Sequence, residues 1–364
     1  VLLNAAPTRQ DGHVAFVAQE PVAHLGGVVA RNLVDVSDDP QVLDGAGRWA
    51  VMIPYDGDPV LARFATWTPA APEAVAGPWR GPTAWTSSMD RPAYVDAVQS
   101  IREQIAAGGV YQANVCRVLT GRLPDPVHAD VGGLHALLSR GNPAPHAAMI
   151  RIPGIVEIAS ASPELFLARS AEEIVTGPIK GTGRTAADLL PKDQAENVMI
   201  VDLMRNDLSR VCRTGSVSVP DLLREEEHPG LVHLVSRVRG LLRPGTSWSE
   251  LLAATFPPGS VTGAPKLAAM SAIDDVEATQ RGPYCGAIGW VDADSQQASL
   301  AVSIRTFWKS GDLVRFGTGA GITWGSDPES EWQETELKAE RLIAIASGSW
   351  GVSASHDALD EVRA

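Results

Sequence analysis

The chain is short of cysteine and of positive charge, and it has no long apolar run. No stretch of some 18 residues is apolar throughout, so no transmembrane helix is expected. The segment Val1 to Asp11 has neither the basic region nor the apolar region of a secretory signal. Lys and Arg number 30 against 43 Asp and Glu, a formal net charge of −13. That balance excludes a broad surface for nucleic acid or for an anionic membrane. The three cysteines, Cys116, Cys212 and Cys285, are odd in number and far apart. They make no zinc pattern and no disulfide framework, which points to a reducing compartment, the cytoplasm.

What is present is ordinary for a globular protein: 364 residues, 45% hydrophobic and 20% charged. That length suggests two domains or one large one. Residues 1–90 are rich in Pro, Gly and Ala and carry no catalytic motif. Ala15 to Ala18 and Trp49 to Ile53 read as strands, and Pro69 to Gly81 as a loop. From Asp90 the pattern is more regular. Asp90 and Pro92 open a helix that Tyr94, Val98, Ile101 and Ile105 continue at helical spacing, and Gly108-Gly109 ends it. His146 to Ile152 and Ile155 to Ala168 read as a hairpin about Pro153-Gly154. Helices are expected over Glu196 to Val211, Ala264 to Asp274 and from Ser326-Asp327-Pro328 to about Ala346. Ala301 to Phe307 and Leu313 to Thr318 read as strands. Strands and helices mix without regular βαβ alternation, which argues an α+β fold.

Several polar residues stand where apolar ones are expected. Glu196 shares a helical face with Ile200 and Leu203, and a lone carboxylate is costly to bury there. A salt bridge, or a charge favouring the helix start, would explain it equally well. On the last helix Glu331, Glu334 and Lys338 follow one stripe that continues into Leu342 and Ile345. Two carboxylates one turn apart repel unless a cation lies between them, and a hard cation such as Mg²⁺ takes such oxygens. A solvated acidic helix is the plain alternative. Lys180 lies among small residues in Thr176-Gly177-Pro178-Ile179-Lys180-Gly181-Thr182-Gly183, a setting for a desolvated nucleophilic amine or for an ordinary loop lysine. Gly317-Thr318-Gly319-Ala320-Gly321 and the stretch Pro257 to Lys266 look like anion cradles, the first as a turn and the second opening a helix.

Taken together these stretches resemble the chorismate-utilising enzymes. Over roughly residues 88–347 eight pieces follow in the family's order. They are Val110-Tyr111-Gln112-Ala113-Asn114, Ser162-Pro163-Glu164-Leu165-Phe166, Pro178-Ile179-Lys180-Gly181-Thr182, Glu196 through Asn206-Asp207-Leu208, His233-Leu234-Val235-Ser236, Gly259 to Lys266, Ser303-Ile304-Arg305 and Glu331-Trp332-Gln333-Glu334-Thr335. The resemblance implies two facing β-sheets with helices outside and the active site in the cleft. It also implies residues 1–88 as part of one interwoven domain, 89–347 as the chorismate-binding core and 348–364 as a tail.

The resemblance also assigns roles. Mg²⁺ would be held by Glu196 and Glu334, with Glu331 assisting. Lys180 would attack C2 of chorismate, and Glu164 would act as general acid on the departing C4 hydroxyl. His233 would stand near that hydroxyl, with a core histidine as the alternative. Arg305 and Tyr284 would hold the side-chain carboxylate together with N–H groups at Gly319 and Gly321. Thr182 and Lys338 would line the site. Chorismate is a dianion, so a chain of charge −13 must supply such cationic groups locally. Water-adding members carry a basic lysine where this chain has Gln112, which speaks for ammonia as the nucleophile. Anthranilate-type members read Pro-Ile-Ala-Gly-Thr, whereas Lys180 resembles the aminodeoxychorismate-type members that aminate C4. No cysteine lies in a glutaminase elbow, so a separate glutamine amidotransferase subunit would deliver the ammonia. Pro258 replaces a usual glycine and Trp332 a usual tyrosine, and residues 1–88 match poorly. An anthranilate-type enzyme that carries a lysine, or a catalytically idle chorismate-binding subunit, are the rival expectations.

Overall fold

The computed structural model describes residues 19–183, 185, 187, 191–228 and 231–350. The strand expected over Ala15–Ala18 and the tail beyond residue 350 lie outside them. Within them lie six α-helices and eighteen strands, an α+β fold as expected. The strand pairs are all antiparallel.

One half of the ladder starts at β6 (Gln112–Arg122), which is flanked by β5 (Trp85–Ser87) and β14 (Gly263–Ala264). It continues through β18 (Leu313–Ile322), β17 (Thr306–Ser310), β8 (Val156–Ser162) and β7 (His146–Ile152) to β1 (Val22–Leu25). From β1 the pairing passes through β2 (Val28–Ser37) and β4 (Val60–Pro69) to β3 (Arg48–Ile53). The other half runs from β3 through β15 (Ala287–Asp292), β16 (Gln297–Val302), β9 (Leu165–Ser170) and β10 (Glu173–Gly177) to β13 (Leu231–Leu241). There β11 (Ile179–Gly183) and β12 (Ser218–His228) complete it.

The helices begin where the sequence offers caps. Asp90 accepts a hydrogen bond from the Ala93 N–H at 3.0 Å at the start of α1 (Arg91–Ala106), and Pro92 occupies its first turn. Asp327 does the same for Ser330 at α6 (Pro328–Ala346). Ser247 and Glu250 form a reciprocal capping box on α4 (Trp248–Thr255). Each helix buries an apolar stripe on the ladder. α1 and α5 (Lys266–Val276) put Val98, Ile101 and Ile273 against Val115 and Ile322. α2 (Val131–Gly141) and α6 put Leu134, Leu138, Leu342 and Ile345 against Met149, Phe307 and Phe316. α3 (Pro191–Ser209) and α4 put Ile200, Met204 and Leu251 into the largest cluster, with Val51, Ile288, Leu300 and Phe166.

Three local expectations need correction. The segment Ile155 to Ala168 is two strands, because the chain leaves β8 at Pro163-Glu164 and enters β9. Proline has no N–H for a ladder, so pairing cannot run through it. Ala301 to Phe307 is likewise interrupted, at Ser303-Ile304-Arg305, where Arg305 takes a left-handed φ of 52°. The two interruptions coincide in space. β8 pairs with β17, but their continuations β9 and β16 pair with each other in the other half. Both chains therefore cross between halves at one corner, tied by the Ser162 hydroxyl donating to the Val302 carbonyl at 2.6 Å. The third correction concerns Gly317 to Gly321, which is a strand paired along its length with β6 rather than a turn. Its glycines make room for neighbours. A Cβ on Gly317 would overlap the Tyr284 ring, and one on Gly319 would overlap Cys116.

Candidate active site

The corner delivers Glu164 and Arg305, one on each crossing segment. Glu164 is 4% exposed, and its Oε1 has no hydrogen-bond partner. Burial pushes its carboxyl up to about 7. The nearby Ser260 hydroxyl and the Lys180 ammonium pull it back less than burial raises it. An acid in that range is still largely protonated just below neutrality.

Lys180 reaches the same place through a bulge. β11 pairs Ile179 with Val235 and Thr182 with His233, so three steps on β11 match two on β13. The extra residue lies at Lys180-Gly181, where Gly181 has φ +83°. A bulge of this kind re-aims a side chain that a regular strand would send to the other face. The Lys180 Nζ donates to the Ser260 carbonyl at 3.2 Å. A Cβ on Gly321 would lie 2.3 Å from Gln112 Nε2 and 3.5 Å from Lys180 Nζ, so glycine is what lets both side chains lie there. Gln112 is 1% exposed, with an unpartnered Oε1, and the buried Ser260 Oγ also lacks a partner. Three buried polar atoms without partners therefore surround one amine. Such atoms are rare in folded proteins, and together they mark a ligand position.

Arg305 is half-buried, and its guanidinium makes no ion pair or hydrogen bond with the described residues. Burial lowers its pKa. A guanidinium without an ion-pair partner among the described residues has the chemistry to accept a carboxylate. Tyr284 is brought to the Ser303-Ile304-Arg305 segment, because the next residue, Cys285, donates its N–H to the Ser303 carbonyl at 2.9 Å. The Tyr284 ring lies under Gly317, and burial raises its pKa. Gly319 takes part through its carbonyl, which accepts from Lys338 Nζ at 3.0 Å. Lys338 also pairs with Glu334 at 2.6 Å. His233 is buried in β13, and Thr182 is its backbone partner across the ladder.

The carboxylates expected to hold a metal are distributed over two helices. Glu331 is buried on α6, Glu334 is half-exposed one turn on, and Glu196 is half-buried on α3. Among the described residues no three His, Cys, Asp or Glu side chains gather into a closed ligand set. The donor chemistry nonetheless fits magnesium, which binds through one or two carboxylates and keeps water and substrate oxygens for its other positions.

Sequence reasoning missed the groups that hold this arrangement in place. Arg281 is 1% exposed and grips both oxygens of Glu277, at 2.8 and 2.7 Å. It also donates to the carbonyls of Val261 at 3.0 Å and Asn114 at 2.8 Å, while Glu277 accepts the Cys116 N–H at 2.7 Å. The pair thereby rivets the Ser260 segment to the start of β6. The sequence signal was a Glu and an Arg four apart, too common to single out. Lys266, expected in an anion cradle, instead pairs with buried Asp207 at 2.7 Å and donates to the Thr255 carbonyl at 2.8 Å.

Comparison with known proteins identifies the family and the fold. Residues 59–344 match the chorismate binding enzyme family. The chain is 43% identical over 277 residues to anthranilate synthase component 1 1 of Haloarcula marismortui, covering 73% of this chain and 55% of that protein. It is 36% identical over 323 residues to aminodeoxychorismate synthase component 1 of Klebsiella aerogenes, covering 85% of this chain and 69% of that protein. The chain thus spans little more than half the length of the first of these relatives. The solved menaquinone-specific isochorismate synthase of Escherichia coli superposes with a TM-score of 0.76 at 20% identity, over 92% of each chain, a likeness of fold. The corner that carries Glu164 and Arg305 therefore lies within a known fold, and the chain belongs to the chorismate binding enzyme family.

Proposed function

We propose that this chain aminates chorismate at C4, as the large component of an aminodeoxychorismate-type synthase. The observation that carries the reading is Lys180, aimed by its bulge into a pocket with Glu164, whose carboxyl burial pushes up to about 7, and no second basic side chain at Gln112. In the proposed sequence the Lys180 amine attacks C2 while the C4 hydroxyl leaves as water, taking its proton from Glu164. Ammonia then attacks C4, and the C2–N bond to Lys180 breaks, returning the electron pair to the amine. Direct attack of ammonia on C2 would give the anthranilate series instead. Arg305 and Tyr284 hold the side-chain carboxylate, with His233 near the C4 hydroxyl and Thr182 and Lys338 beside the ring. Glu196, Glu334 and Glu331 would hold Mg²⁺, which when bound neutralises the ring carboxylate and charge developing in the ring.

A glutamine amidotransferase subunit is the proposed source of ammonia, as the Klebsiella relative's designation as a component suggests. The three free, buried cysteines suit a reducing cytoplasm, and no helix among the described residues is long and apolar enough to cross a membrane. The alternative reading, amination at C2, is favoured by the 43% identity to an anthranilate synthase component.

Product identity decides between them. The purified chain is incubated with chorismate, Mg²⁺ and ammonium salt at alkaline pH, and the product is identified by mass and fluorescence. A product of aminodeoxychorismate mass that added lyase converts to 4-aminobenzoate is the expected result, and Lys180→Ala should abolish it. Fluorescent anthranilate would overturn the C4 assignment. No turnover, even with a glutaminase subunit supplied, would favour an idle subunit.

A further inference from the structure

We infer that Ser236 and Asn197 form a buried junction that positions Lys180 and Glu196 relative to each other. The inference rests on the proposed roles of those two residues, but its geometry stands apart from them. Both Asn197 and Ser236 are fully buried, at 0% exposure. The Ser236 hydroxyl donates to Asn197 Oδ1 at 2.5 Å and accepts the Leu223 N–H at 2.9 Å. The Asn197 Nδ2 donates to the Leu234 carbonyl at 3.1 Å. The Ser236 N–H donates to the Pro178 carbonyl at 3.1 Å, two residues before Lys180. One residue thus ties together α3, β12 and the approach to β11.

The location of the junction explains its use. β13 has an irregular neighbour on each side. On β12 the register shifts between Asp221 and Arg224, opposite Arg237 and Val235, which leaves Ser236 facing the shift. There Leu223 takes a left-handed φ of 56°, and Ser236 captures its N–H. On β11 the shift between Ile179 and Thr182 contains Lys180. Ser236 therefore braces the strand between two bulges, next to the one that aims the amine.

On α3 the buried Ile200, Val201, Met204 and Leu208 hold the helix by apolar area, which has little directionality. Asn197 adds hydrogen bonds, which do have direction, so it fixes the helix's rotation about its axis. Glu196 precedes it by one residue, so that rotation sets where the carboxylate points. The sequence carried both residues inside matched stretches without giving either a role.

The test uses the full chain with Ser236→Ala, Asn197→Ala and the hydroxyl-retaining Ser236→Thr. Two quantities are read. The first is kcat and KM for chorismate in the ammonia-dependent reaction. The second, which needs no turnover, is the rate at which Lys180 is acetylated by acetic anhydride, followed by peptide mass spectrometry with ion-paired Lys309 as reference. The junction predicts about a tenfold or larger fall in kcat with KM within about twofold for both alanine variants. It also predicts Lys180 labelling about threefold or more faster relative to Lys309, as expected of a locally loosened segment, with Ser236→Thr returning both towards wild type. Lys180 labelled at the wild-type rate in both alanine variants overturns the inference, whatever turnover does. If Ser236→Ala fails to fold, Asn197→Ala and Ser236→Cys carry the same labelling readout. A wild-type protein that makes no aminated product would count against the proposed function, while the labelling comparison would still decide the junction.

Discussion

Glu164 titrates near 7 because it is buried at the corner, where two chains cross between halves of the ladder and no water-filled surface stabilises its charge. Its protonated form is the one the proposed reaction needs, so at fixed free ammonia kcat/KM should fall as pH rises through about 7. Glu164→Gln should be slower by about 10² to 10⁴ and should lose that falling limb. The same variant should gain stability at high pH even as it loses rate. A carboxyl whose pKa is raised on folding contributes stability that is complete below its unfolded value of 4.5 and is lost as pH rises through about 7. Denaturant titration at pH 8 should therefore find Glu164→Gln more stable than wild type, by up to about 3 kcal/mol. Equal stability at pH 8 would argue that the carboxylate has found a partner. Glu164, Lys180 and Arg305 were each legible in the sequence because ordered motifs surround them. Ser260 and Asn197 sat inside the same motifs unremarked, because a serine or an asparagine announces nothing until burial and hydrogen bonding are known.

The helix starts at Asp90 and Asp327 were legible to within a residue or two, since capping is a local interaction, whereas α3 begins at Pro191 rather than Glu196, and α2 and α4, capped by Asp130 and Ser247, were not anticipated. The strands were less legible. A continuous apolar run hid the crossing at Pro163-Glu164, and alternating glycines imitated a turn in what is the end of β18. In both cases the deciding contact comes from a distant part of the chain. The same holds for an element contact with no signal in the sequence, His24 of β1 against His135 of α2. His24 Nε2 donates to the Ala70 carbonyl at 3.0 Å, so its Nδ1 accepts from His135 Nε2 at 2.9 Å. That leaves His135 Nδ1 buried without a partner, and burial depresses the ring's pKa to about 3. A histidine held neutral in this way costs stability as pH falls below its unfolded value near 6.5, until the ring protonates in the fold near 3. Between pH 7 and pH 5 the chain should lose about 2 kcal/mol through this residue. His135→Gln should lose correspondingly less over the same interval, and an identical loss in both proteins would remove His135 as the cause.

At the scale of the whole molecule, the strands before residue 88 do not form a separate layer. β1 pairs with β7, and β3 pairs with β15. The largest apolar cluster runs from Ala23 to Trp308 along the chain. We propose that residues 19–88 and 89–347 are one cooperative unit, and calorimetry should then show a single transition whose calorimetric and van't Hoff enthalpies agree. Two separated transitions would divide the chain near residue 88. This interweaving was expected only from the family resemblance, because the pairing of distant strands leaves no periodic signal in the sequence.

The bulge on β11 has a consequence for how a gene of this kind can change. The site's amine points where it does because one residue too many stands between Ile179 and Thr182. Deleting the codon for Gly181 would let the two strands pair regularly, with Lys180 directly across from Leu234 and turned away from the side that His233 faces. Every residue type of the proposed site would still be encoded, in the same order, yet the proposed nucleophile would be on the wrong side of the sheet. An inventory of motif letters would pass such an allele as intact; counting the spaces between them would not.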